Sequence, residues 1–184
     1  MNKTFWAFIA VVVVIVIWGF SSYNSLVGLN ESADAQWAKV ETQYQRRFDL
    51  IPSLVNSVKG IFTQEQKIYS DITEARARYA GAATPNEKAS AASQVESVLG
   101  RLLVVVESNP QIQSYKNVQD LMTSLEGTEN RISVERTRFN DIVRDYNTSI
   151  KRFPRNILAS ISGFRERAYF QAVFGAENAP AVNF

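Results

Sequence analysis

Glu65, Glu107, Glu129 and Asp141 are the side chains of this sequence best suited to act as acids, bases or hard-metal ligands. The company that such chemistry needs is missing. The 184 residues include no histidine and no cysteine. That removes the commonest general base, the commonest metal ligand, thiol nucleophiles, disulfides and thiolate metal sites together. No Glu-x-x-His ligand pair, glycine-rich phosphate loop or Gly-x-Ser-x-Gly elbow occurs. Only a carboxylate-only metal site would remain, so the expectation is a protein that is not an enzyme and that carries no cofactor and no metal. Lys plus Arg number 20 against 18 Asp plus Glu, and a net charge of +2 gives no basis for nucleic-acid binding. Apolar residues at 46% and charged residues at 21% suit a globular chain rather than a disordered one. With 8 glycines and 5 prolines, long uninterrupted helices are the natural expectation.

The charges that remain must be positioned by helices. Stepping alternately four and three residues from Leu26 gives Leu26, Asn30, Ala33, Trp37, Val40, Tyr44, Arg47, Ile51, Leu54, Val58, Ile61, Glu65, Ile68, Ile72, Ala75 and Tyr79. This is the coiled-coil-like stripe of a helix packed against others. A second stripe runs through Val118, Leu125, Ile132, Phe139, Tyr146 and Phe153, with partner positions Met122, Glu129, Arg136, Val143 and Ile150. Arg47, Glu129 and Arg136 therefore interrupt apolar seams. A buried charge is tolerated when paired, which predicts a polar layer joining Arg47 to Glu129, with Asp49 near Arg136 and Asn130 or Asn140 completing hydrogen bonds. The competing reading lets the helices roll so that these side chains reach solvent.

Punctuation sets the helix boundaries. Pro52 removes an amide donor and disfavours helix at Ile51, which predicts a kink or short break at residues 49–52. Thr84-Pro85 with Glu87 three residues on is a helix-start signal after Gly81, and Glu107-Ser-Asn-Pro110 is a stop. The expected helices run over about 29–80 with the kink near Pro52, 86–107, 115–152 and, after Pro154, a short one over 155–173. The fold class is all-α: an antiparallel four-helix bundle of long helices over 29–174, preceded by a transmembrane anchor at 1–28 and followed by an irregular tail at 175–184.

The anchor rests on Phe5 to Phe20, sixteen residues without a polar side chain beyond the Trp nitrogens. As a helix they span roughly 24 Å, and Ser21 to Leu26 add about 9 Å, enough to cross a bilayer. Phe5, Trp6, Val12, Ile15, Trp18, Phe20 and Tyr23 are the expected anchor residues, the aromatics lying near the ends where interfacial rings belong. A cleaved signal peptide is the rival reading, opposed by the length of the run, its two Trp and the lack of an Ala-x-Ala-like site. Met1's amine and Lys3 against Lys39 lean towards an inside amino terminus with the main domain outside.

From Lys151 the chain turns basic and aromatic. Arg152, Phe153, Arg155, Phe164, Arg165 and Arg167 are candidates for docking on an anionic membrane face. The preferred reading is plainer: Phe153, Ile157, Phe164 and Phe170 close the end of the bundle.

Several stretches coincide with one family. YNSLV (Tyr23 to Val27), QRRFDLIPSLVNSVK (Gln45 to Lys59), EARARY (Glu74 to Tyr79), ESNPQI (Glu107 to Ile112), LEGTENRISVERTRFNDIVRDYN (Leu125 to Asn147), RFP (Arg152 to Pro154) and the closing APAVNF resemble the LemA family of bacterial membrane proteins. Asn109 and Phe139 stand where that family often has tyrosine, and Val118 where it often has phenylalanine. The resemblance implies one amino-terminal transmembrane helix and a helical bundle in the bacterial inner (cytoplasmic) membrane, with no assigned activity. Its relatives include a magnetosome protein linked to membrane shaping, and others occur beside membrane metallopeptidases. The family's short amino terminus is usually placed outside, against the charge count, so the side of the main domain stays open. Two functions follow as expectations. One is a scaffold that self-associates into a homo-oligomer and organises or remodels the lipid bilayer; the other is an adaptor or sensor for another membrane protein.

Overall fold

The computed structural model describes residues 3–58, 65–113 and 115–170. Among them the secondary structure is entirely helical: α1 (Lys3–Val58), α2 (Glu65–Gly81), α3 (Pro85–Glu107), α4 (Pro110–Gln113), α5 (Lys116–Lys151) and α6 (Arg155–Ile161). Helix α1 passes through Pro52 without a break. Ile51, Leu54 and Val55 around it are buried, and their packing outweighs the one hydrogen bond that proline removes. The expected single helix over 29–80 is seen as α1 and α2, with Ile61 and the rest of 59–64 outside the described residues.

The Thr84 signal forms a complete capping box. The Glu87 amide donates to Thr84 Oγ1 at 3.2 Å, and the Thr84 and Ala83 amides donate to Glu87 Oε2 at 3.0 and 2.9 Å. Both satisfy donors that a helix start leaves orphaned. Those backbone donors hold the Glu87 carboxyl below its ordinary pKa, the Thr84 amide contributing most.

The last helix is shorter than expected. α6 ends at Ile161 rather than at 173, and residues 164–170 carry no regular secondary structure. Gly163 adopts φ 78°, the Phe164 amide donates to the Ala159 carbonyl at 3.0 Å and the Gly163 amide to Ser160 at 3.3 Å. This is a Schellman stop, with glycine in the left-handed conformation that a side chain would disfavour. Phe164 packs against the cluster that contains Ala159, completing the apolar contact typical of that motif.

Contacts group the described residues into two compact units, one within Met1–Ala38 and Arg138–Tyr169, the other within Lys39–Thr137 and Phe170–Phe184. In the first, Leu26 clusters with Tyr146 and Ile150, and Trp37 meets Phe139 edge-on with ring centroids 5.3 Å apart. Early α1 thus faces late α5, an antiparallel pair. In the second, Arg47 meets Glu129 while Ser57 accepts from Asn117, so α1 and α5 are antiparallel there too. α3 runs along α1, since Glu41 meets Lys88 and Arg47 meets Glu96. α2 runs against α3, since Arg78 meets Gln94 and Asp71 meets Arg101. The second unit is therefore an up-down-up-down arrangement of α1, α2, α3 and α5, the economical answer to short turns between amphipathic helices.

Candidate functional site

The interruptions of the apolar stripes come together in the second unit. Arg47 Nη1 lies 2.6 Å from Glu129 Oε2 and 3.1 Å from Glu96 Oε1. Glu96 Oε1 also takes Arg136 Nη2 at 2.5 Å, so one carboxylate on α3 bridges two guanidiniums from α1 and α5. Arg136 Nε donates to the Tyr44 hydroxyl at 2.9 Å, and its Nη2 contacts the same oxygen. The Arg136 guanidinium carbon lies 4.5 Å from the centre of the Phe170 ring and 5.3 Å from that of Tyr44, cation–π distances that add to the pairing. Two cations and two anions make the cluster neutral. Burial, partly opposed by Arg136, pushes the Tyr44 hydroxyl up to about 12. The Tyr79 hydroxyl is pushed up as well, first by burial, then by Glu41 and Tyr44.

The acid beside Arg136 is Glu96, and Asp49 is not. Asp49 is exposed and accepts from Gln45 Nε2 at 2.8 Å, because four residues along α1 bring these two to the same outer face. Asn130 is exposed and lines a cleft of about 390 Å³ with Leu99, Leu103, Met122, Glu107 and Glu126. Glu96 was not singled out from sequence, yet a signal existed. Ala92, Glu96, Leu99 and Leu103 step by four, three and four, so Glu96 occupies a stripe whose neighbours Ala92 and Leu99 are buried.

In the first unit the apolar run is bare. From Phe5 to Ile17 the large side chains, Ile9 excepted, are exposed to between 41% and 68%. Among the described residues two helices are apolar and long enough to cross a membrane by composition, α1 and α3. In α3, 44% of the apolar window is buried, whereas in α1 none is. Uncovered on every side, α1's window has the character of a lipid-facing segment, and α3's that of a core helix. Burial along α1 begins with Ser22 and Leu26.

The basic aromatic segment divides. Phe153, on the second stripe by register, is 80% exposed, and Ile157 is 54% exposed. Neither closes the bundle, because α5 stops at Lys151, ahead of the conformational restriction that Pro154 places on residue 153. Phe164 and Phe170 do turn inward. Tyr23 and Phe164 rings lie 5.8 Å apart, and Phe170 is buried. Arg152, Phe153 and Arg155 share a cavity with Trp18, while Arg165 is exposed.

Arg167 is turned away from any membrane-docking role. Its guanidinium grips Asp34 with two contacts at 2.7 and 2.6 Å and Asn30 Oδ1 with two more at 3.0 and 2.9 Å. The backbone of the same residue is held by buried Asn147, which accepts from the Arg167 amide at 2.9 Å and donates to its carbonyl at 2.8 Å. The Tyr146 hydroxyl donates to the Arg165 carbonyl at 2.9 Å. Side chains thus supply the partners that a strand would find in a sheet, fastening the segment after α6 to α1 and α5.

Comparison with known proteins matches residues 36–184 to the LemA family. Relatives include magnetosome protein MamQ 2 of Paramagnetospirillum magneticum, 30% identical over 81% of this chain and 64% of its own length. Another is magnetosome protein MamQ of Magnetospirillum gryphiswaldense, 29% identical over 80% of this chain and 64% of its own length. The chain spans about 64% of the length of these curated relatives. The protein is membrane-associated and helical, and with most of its length matched, the chain belongs to the LemA family.

Proposed function

We propose that this protein is a non-catalytic, single-pass scaffold of the bacterial inner membrane that self-associates and organises or remodels the bilayer. The observation that carries the reading is the bare apolar run of α1, continuous as a helix with residues that pack into the bundle. Burying ten or so large side chains in lipid recovers free energy that nothing in the chain itself supplies. The similarity to magnetosome proteins supports a place at a membrane. The glutamates of the ionic cluster, Glu96 and Glu129, are spent on arginines, which suits a structural role better than proton transfer. Most of the described stripe positions are buried within the chain. Self-association therefore uses outer residues such as Val104, Tyr115 and Val134, large apolar side chains left exposed.

A second reading, an adaptor for another membrane protein, is favoured by the cleft beside Asn130. Its apolar floor of Leu99, Leu103 and Met122 and its acidic rim of Glu107 and Glu126 suit a basic, apolar segment of a partner. The particle mass of the full-length protein in mild detergent, measured by electron microscopy, separates the two. The scaffold gives a large regular assembly from protein purified alone. A monomer that copurifies with one stoichiometric partner replaces the scaffold with the adaptor.

A further inference from the structure

Trp18 stands one turn before Ser22, where burial along α1 begins, at the carboxyl end of the bare run. It lines a cavity of about 530 Å³ together with Thr148, Ser149, Arg152, Phe153 and Arg155. These residues come from the end of α5 and the start of α6, so the turn between those helices lies beside the stretch of α1 that follows Trp18, just past the point where a spanning helix leaves the hydrocarbon. Ile157 and Ile161, one helical turn apart, are 54% and 80% exposed, and Phe153 before them is 80% exposed. Three large apolar side chains within nine residues are costly to leave in water. Beside them stand two cations. The side chain of Arg152 has no ion-pair partner among the described residues, and Arg155 is steadied by an Nη1 bond to Ser149 Oγ at 3.0 Å that leaves its other donors available. The acid lining the cavity, Asp145, is held by Arg144 at 3.2 Å.

We propose that this cavity binds the phosphate headgroup of an anionic phospholipid, gripped by Arg152 and Arg155 against Trp18, while Phe153, Ile157 and Ile161 insert among the neighbouring acyl chains. The proposal rests on the membrane-anchored reading above. Continuity with the spanning segment identifies the occupant as lipid, since a soluble anion would give the exposed apolar side chains nothing to contact. Guanidinium and phosphate make the charge-assisted, forked pairing that arginine favours. An interfacial tryptophan with an apolar wedge sets the depth of the segment. A bound anionic lipid would tie the bundle to its own patch of bilayer, a requirement for any protein that organises membrane around itself.

The test uses the full-length protein in a non-ionic detergent, with native mass spectrometry as the readout and phosphatidylglycerol, phosphatidylcholine and inorganic phosphate as probes. Phosphatidylglycerol should be retained about 30-fold more tightly than phosphatidylcholine, roughly fivefold for each arginine. Arg152→Gln combined with Arg155→Gln should bring that preference within about twofold. Arg152→Gln alone changes an exposed cation, poses no risk to folding and should lose about fivefold. Arg165→Gln, exposed and outside the cavity, should retain the full preference. Equal retention of the two lipids by the unaltered protein, or a preference that survives the double substitution, overturns the proposal. So does displacement of phosphatidylglycerol by an equal concentration of inorganic phosphate. Alkaline carbonate extraction of native membranes tests the anchor separately: release of the protein refutes the anchor, whereas the lipid ratio reports only on the cavity.

Discussion

Each compact unit contains an arginine-centred network, and the two are built differently. In the second unit Arg47 and Arg136 project from regular helices, and their hydrogen-bonding and charged partners Glu96, Glu129 and Tyr44 do too, so helix geometry sets every charged participant. In the first unit Arg167 lies on a segment without regular structure, and its partners Asn30, Asp34 and Asn147 fix the backbone as well as the side chain. One network specifies how helices register; the other replaces secondary structure for a chain that has left its helix. A buried ion cluster punishes the loss of one member more than the loss of all, because the survivors remain desolvated. A clamp on a partly exposed segment fails locally.

The largest effect should come from Glu96→Leu, which leaves the Arg136 guanidinium without a carboxylate and Arg47 with Glu129 alone. A loss of about 3–5 kcal/mol is expected in chemical denaturation followed by circular dichroism. Replacing Arg47, Glu96 and Arg136 together by Met, Leu and Met should be near neutral or stabilising; a triple variant as damaged as the single one breaks the contrast. Glu129→Gln should cost less than about 1 kcal/mol, since Glu129 is 44% exposed and Glu96 still holds Arg47.

Arg167→Ala or Asn147→Ala should cost about 1–3 kcal/mol and act locally. Limited proteolysis should then cut within 162–170 while the helices stay intact. Global unfolding instead of local cleavage would place the two networks in one class. Thr84→Ala should remove about 1 kcal/mol by opening the α3 cap. The depressed Glu87 pKa adds an acid limb to this cap: its contribution is complete above the ordinary carboxylate range and is lost as pH falls through the lowered value. Thermal melts between pH 7 and pH 3 should show a smaller acid loss in Glu87→Gln than in the parent.

The smallest effect at neutral pH belongs to Tyr44. Its hydroxyl titrates near 12 in the folded protein against 10.0 for a free tyrosine. Stability from keeping it neutral is therefore complete below pH 10 and is lost as pH rises from there towards 12. Tyrosine absorbance should show a late-titrating fraction that shrinks in Tyr44→Phe. An unchanged titration would mean that the hydroxyl is reached by water.

The sequence alone was enough to read the class, the apolar run, the α3 cap and both stripes. These are local or periodic properties: a 3.6-residue repeat, a hydroxyl three residues before a carboxylate and sixteen residues without a polar group are all written in order along the chain. It also marked Arg47, Glu129 and Arg136 as charges on apolar faces, because periodicity reports burial without reference to a partner. It did not identify Glu96 as the shared acid, since choosing among carboxylates requires knowing which turn of α3 meets which turn of α1. Nor did it place Asp49, whose side chain is four residues from Gln45 and so belongs to the outer face of the same helix. The Ser-Gly-Phe stop after Ile161 was legible in principle and was overrun by the apolar spacing beyond it. What only the tertiary structure decided is the fate of the basic aromatic end. Phe153 keeps the register of a core residue and is exposed, and Arg167 has the composition of a membrane-facing cation and is tied to Asp34. Composition says what a side chain prefers; where a backbone leaves its helix decides which preference it can satisfy.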